Sequence, residues 1–241
     1  MIEQIPSPYG EAFDRARYEQ WEDLFFKVQT IVTPYFSKEH GYWVHTMDIV
    51  RDLGRMDARL VVGDAWIASL AGDVEKYDEA EFQVREHATL SRLWLLGAYE
   101  LMRVIVSTMR KLHEANDAAY KKLLEADEEP RNRAGRVISP PVQHPHFLKF
   151  QGVLHRLTRF RIPLAKLEPA DKYKKEGDGR IARTALSEGG LGWTVSDTVF
   201  ANRKDLADEV IGVIGSFDAF PNRPWRGENG RGKEKSASPA V

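Results

Sequence analysis

A mainly helical bundle, with a long central helix and a small β-hairpin near the C-terminus, is the fold class this sequence predicts. Three observations predict it. Apolar residues recur at spacings of three and four from Glu79 to about Leu124 with no intervening proline. Shorter segments on either side repeat that spacing, and a single pair of β-prone runs flanks a glycine-rich turn. A period near 3.6 marks amphipathic helices, whereas two short β-prone runs joined through glycines mark a hairpin.

The first helix is expected from about Tyr9 to Ile31, where Phe13, Trp21, Leu24, Phe25 and Val28 form a broad aromatic stripe that ends before Pro34. Tyr42 to Leu53 fits a short helix or an extended piece, with helix favoured for its second half. A further helix is expected from about Asp57 to Asp73, carrying Leu60, Val61, Ala65, Trp66, Ala68 and Leu70. The long central pattern follows, with Leu90, Leu93, Trp94, Leu101, Val104, Ile105, Met109 and Leu112. It is one helix, or two that meet near Asn116. Prolines, glycine and arginines make 128–145 a surface connection. The stripe Phe147, Phe150, Val153, Leu154, Leu157 and Phe160 predicts a second core helix that Pro163 should kink or end. The hairpin pairs Ile181–Leu186 with Trp193–Phe200, about 181–200 in all. Asn202 is placed to cap a last helix from Arg203 to about Ile214.

With 241 residues, 42% of them hydrophobic, residues 1–220 can form one helical domain. Residues 221–241 carry almost no apolar side chains after Trp225 and read as a disordered tail. Thirty-five basic and 36 acidic residues leave a net charge of −1, so no global field advertises nucleic acid or membrane. With no cysteine there is no disulfide, thiolate nucleophile or sulfur-ligated metal, in keeping with a reducing compartment. The N-terminus lacks a basic region followed by an apolar core, and no apolar run spans a bilayer. The expected location is the cytoplasm.

Candidate chemistry concentrates where the second core helix closes, in Arg161-Ile162-Pro163-Leu164-Ala165-Lys166. Together with the order of long helices over 57–169, this stretch resembles the HEPN superfamily (higher eukaryotes and prokaryotes nucleotide-binding). Catalytic members carry an arginine followed four to six residues later by a histidine, commonly as Arg-Asn-x-x-Ala-His. Arg161, Ala165 and the spacing match; Ile162 replaces the polar residue, and Lys166 stands in the histidine position. The family cleaves RNA without a metal, and histidine suits that work because its pKa is near ~6.5, whereas lysine sits near ~10.4. No substitute pair keeps the spacing: Arg110 precedes His113 by three, Arg136 precedes His144 by eight, and His155 comes before Arg161.

The resemblance therefore implies a non-catalytic or repurposed member, dimeric through the motif-bearing helices, that brings two Arg161 segments into one cleft. Such a cleft would bind RNA, another anionic ligand or a protein partner through Arg159, Arg161, Lys166 and His155. Glu100 and Arg103, polar on the apolar central helix, are expected beside them, as an internal ion pair or as a surface pair three residues apart. One alternative is a metal-independent ribonuclease using Arg161 and Lys166; another is an assembly protein that docks its aromatic first helix on a partner. No cofactor is expected. His144 and His146 lack the further ligands of a metal site, and Gly189, Gly190 and Gly192 are not followed by the Lys-Ser/Thr of a phosphate loop.

Overall fold

The structure is a computed structural model, and it describes residues 13–36, 40–70, 73–125, 146–166, 183–187, 189–195 and 199–217. The connection at 128–145 and the tail at 221–241 lie outside the described residues. The elements run α1 (Arg15–Phe36), α2 (His40–Ser69), α3 (Val74–Glu79), α4 (Glu81–Glu125), α5 (Phe147–Lys166), β1 (Arg183–Ser187), β2 (Gly190–Thr194), β3 (Phe200–Asn202) and α6 (Arg203–Gly215). Chain contacts define two units: 1–109 with 145–219, and 110–144 with 220–241. In the second unit the described residues are the α4 turns from Arg110 to Glu125, where Lys121 pairs with Asp117 at 2.7 Å. All other described residues belong to the first unit.

Helix α1 starts at Asp14, whose carboxylate accepts from the Arg17 amide at 2.9 Å and satisfies one of the donors a helix N-terminus leaves open. The helix continues through Pro34 to Phe36, past its expected end. Proline interrupts a helix by deleting one amide donor and crowding the preceding turn. Within the last turn that costs a single bond. Pro163 behaves in the same way in α5, which runs three residues beyond it, and the burial of Pro163 and Leu164 offsets the missing bond.

The two pieces expected over 42–73 are one helix, α2, which no proline interrupts. Its Gly54 is required by packing. A Cβ there would come within 2.6 Å of the Trp21 Cβ, so glycine lets α1 and α2 cross closely. Trp21, Leu24, Val28 and Ile31 of α1 are buried, as are Val50, Leu53, Leu60 and Ile67 of α2. Each such aliphatic side chain contributes roughly 1.5–3 kcal/mol by leaving water. The long central pattern is one helix, α4, preceded by the short α3, and Trp94, Leu95, Leu101, Met102 and Ile105 carry it into the core. Phe150, Leu157 and Phe160 of α5 and Leu206, Val210 and Ile214 of α6 complete the core. Among the described residues, no helix is long and apolar enough to cross a membrane.

The β segment differs from a simple hairpin. It is a three-stranded antiparallel sheet in the order β1-β2-β3, with Ser187 opposite Gly190 and Trp193 opposite both Thr184 and Ala201. The connection between β1 and β2 is therefore only two residues long, and Phe200 opens a third strand instead of ending the second. Gly190 to Trp193 are buried, so β2 is the covered central strand. Asn202 sits at the N-cap of α6, but its side chain is used elsewhere, accepting from Ser187 Oγ at 2.8 Å.

Candidate functional site

Two clusters of polar side chains stand out in this unit, one buried and one exposed. The buried one is built on Asp57 and Asp64, seven residues and so two turns apart on the inner side of α2. Between them lies Arg203, the first residue of α6, with no exposed surface. Its Nη1 donates to Asp57 Oδ1, while its Nε and Nη2 lie 2.7 and 2.5 Å from Asp64 Oδ2. The other Asp57 oxygen accepts from Arg17 Nε at 2.5 Å and from Trp21 Nε1 at 2.8 Å. The other Asp64 oxygen meets His87 Nε2 of α4 at 2.8 Å. Trp94 of α4 presents its ring to the Arg203 guanidinium at 5.5 Å. Gly190, with φ of +91°, brings the hairpin turn onto the backbone of Asp64.

Two guanidiniums thus balance two carboxylates where α1, α2, α4 and α6 meet. Burial works against the Arg203 charge, but the fields of Asp57 and Asp64 outweigh it and hold the guanidinium above its ordinary value. Asp57, Asp64, His87 and Arg203 are all buried, so a substrate has no approach to them. The arrangement serves packing: it fixes the register of four helices and anchors the sheet, as buried charges can when every one is partnered.

Arg17 extends the network outward, donating to Asp208 at 2.6 Å, and Lys204 reaches the same carboxylate at 2.7 Å. Partial burial raises the Asp208 pKa, but these two cations outweigh that and pull it below the ordinary carboxylate value. A depressed folded-state value means that Asp208 stabilises the fold at pH above its unfolded value of about 3.9, and that this share is lost as pH falls through the folded value. Stability curves of the wild type and Asp208→Asn, measured by urea unfolding at several pH values, should be separated at pH 7 and converge below about pH 4. Parallel curves would show that Asp208 is not energetically coupled to Arg17 and Lys204.

The exposed place is where α4 and α5 carry the motif residues. Arg161 lies over the Tyr99 ring, its guanidinium carbon 4.7 Å from the centroid. Arg103, one turn beyond Tyr99, pairs with Glu100 at 2.7 Å, and both remain about half exposed. Of the two expected forms of that pair, the surface pair is the one observed. Glu100 is thus engaged by Arg103, while Arg161 is held by an aromatic face. Arg159, Arg156 and His155 lie on other sides of α5. At about 100° per residue, Arg159 lies roughly 200° and His155 roughly 240° around the helix from Arg161. Arg159 is half-buried and His155 exposed. Arg156 pairs with Glu209 of α6. Lys166 is the last residue of α5.

His146 immediately precedes α5, its ring 6.4 Å from that of Phe217. His144, its expected neighbour, lies outside the described residues. Among the described residues, no group of three histidine or carboxylate side chains is disposed to hold a metal.

Comparisons with protein-family models, with curated proteins and with solved structures found no match. The functional reading therefore rests on the residues themselves.

Proposed function

We propose that the protein is a non-catalytic binding module, HEPN-like in plan and dimeric through α5, whose α4–α5 edge takes the phosphates of RNA. The observation that carries this reading is the Arg161 guanidinium seated on Tyr99, with Arg103 one turn along α4. An arginine held by a ring loses less freedom when it meets a phosphate than one extended into water, and its planar fork suits two phosphate oxygens. Lys166 stands where catalytic members of that family carry histidine, and lysine, with an ordinary pKa near ~10.4, suits charge neutralisation better than proton transfer. That favours binding over cleavage. Pairing two protomers would double the cationic groups on one strand.

The test is binding of a mixed single-stranded RNA pool in the presence of chelator across a range of salt. Two arginines from each of two protomers should give a slope of log K against log salt of about −3, and Arg161→Ala should reduce it to about half that. Glu100→Gln, which frees Arg103 from its carboxylate, should tighten binding. An absence of binding, or a slope that Arg161→Ala leaves unchanged, overturns the RNA reading. Cleavage in chelator that disappears in Arg161→Ala and Lys166→Ala would establish the ribonuclease instead. Light scattering addresses the dimer separately, and a strict monomer at high micromolar concentration refutes it.

A further inference from the structure

A pocket of about 630 Å³ opens between the segment leading into α1, the middle of α2 and α4, and it contains none of Tyr99, Arg103 or Arg161. The volume is that of ordinary small-molecule sites, which run from roughly 300 to 1,000 Å³. Met56 and Leu60 of α2 and Leu90 of α4 supply an apolar floor. One wall is aromatic: Phe13 and Tyr18 hold their rings 5.5 Å apart at 53°. The wall is fixed in place, because the Asp14 amide donates to the Ala58 carbonyl at 3.1 Å and ties the start of α1 to α2. Phe13 is nevertheless 41% exposed, a large ring left at the mouth of the pocket. The Tyr18 hydroxyl donates to Glu22 at 2.6 Å and also lies against Arg55, so this side chain offers the pocket its ring more than its donor and leaves Arg59 as the freer of the two arginines.

The polar groups of the lining are Arg55, Arg59 and Asp52, all on α2 and all exposed. Arg55 and Arg59 stand four residues apart and therefore side by side, with Cβ atoms roughly 5–6 Å from each other. Among the described residues, no carboxylate pairs with Arg59. Two guanidiniums and one carboxylate leave the lining with a single net positive charge, which balances one anionic charge and leaves the second charge of a dianion to lose water without a partner.

We propose that this pocket binds a planar aromatic monocarboxylate. Its ring lies between the Phe13–Tyr18 wall and the Met56, Leu60 and Leu90 floor, and its carboxylate is held by Arg59 together with Arg55. The aromatic wall selects a flat body, the paired arginines select the head, and Asp52 sets the preference for a carboxylate over a phosphate monoester.

The experiment is calorimetric titration of the intact chain with naphthoate, naphthyl phosphate and the neutral naphthylmethanol. The expected result is saturable one-site binding of naphthoate with Kd of about a millimolar or tighter. Naphthyl phosphate should bind more weakly, and naphthylmethanol should show no saturation. Arg59→Gln should weaken naphthoate about tenfold or more, since a charge-assisted bond is lost. Arg59 is exposed, so this variant should keep the wild-type circular dichroism spectrum. Met56→Trp, which fills the floor, should abolish binding while leaving α4–α5 untouched. The proposal is overturned if naphthoate does not saturate, if Arg59→Gln and Met56→Trp bind it as the wild type does, or if naphthylmethanol binds equally well. Tighter binding of naphthyl phosphate overturns the monocarboxylate assignment. None of these results depends on whether RNA binds at Arg161.

Discussion

Replacing Arg203 with methionine should cost about 3–5 kcal/mol of folding stability, the usual consequence of removing one partner from a buried ion pair. Asp57 would keep Arg17 and Trp21, but Asp64 would retain only His87, and both carboxylates would stay out of water. Single domains are stable by only ~5–15 kcal/mol, so the loss is a large fraction of the whole. Urea unfolding should show a much lower midpoint with an unchanged slope. Arg203→Lys should fall between the two, because one ammonium cannot span Asp57 and Asp64 as the guanidinium fork does. The double variant Arg203→Met with Asp64→Asn should recover at least ~1 kcal/mol relative to the sum of its parts, the signature of a directly interacting pair. Additive losses, or a drop in Arg203→Met below ~1 kcal/mol, would refute the role given to the network.

Much of the fold was legible because it is written locally. The Phe147–Phe160 stripe gives α5, the Leu206–Ile214 face gives α6, and the unbroken spacing after Glu79 gives α4. What sequence missed is non-local. The bonds from Arg203 to Asp57 and Asp64 join residues 146 and 139 positions apart, and no helical or strand period links such distant groups. Two signals were nonetheless present. Asp57 and Asp64 interrupt an apolar stripe two turns apart, where a lone carboxylate is costly. Arg203 and Lys204 open a helix whose N-terminal dipole favours the opposite sign, so some other partner must hold Arg203 there. The third strand was illegible because three residues carry no periodicity. Of the candidate site, the Glu100–Arg103 pair could be read from spacing alone. The contact of Arg161 with Tyr99 could not, because it depends on how α5 lies along α4.

Gly190→Ala should be strongly damaging, although it adds a single methyl group. At φ of +91° an L side chain is strained by roughly 1–3 kcal/mol. The new Cβ would also stand 2.9 Å from both the Cα and the carbonyl oxygen of Asp64, on a helix that cannot yield. Overpacking of this kind adds about 1–3 kcal/mol. The hairpin would therefore have to lift away from α2, exposing Leu191 and Trp193, and Asp64 would lose the covering that keeps its bond to Arg203 dry. Gly212→Ala is the matched control: it is an exposed position inside α6, nothing stands within 4 Å of its added methyl, and it should gain about 0.5–1 kcal/mol. Thermal melts followed by near-ultraviolet circular dichroism, which reports the packing of the aromatic side chains with Trp193 among them, distinguish the two. Gly190→Ala should melt several degrees lower with an altered aromatic spectrum, while Gly212→Ala should melt slightly higher with the spectrum intact. If both variants behaved alike, the hairpin would not be seated on Asp64, and the sheet would be an appendage instead of a clamp on the buried charges.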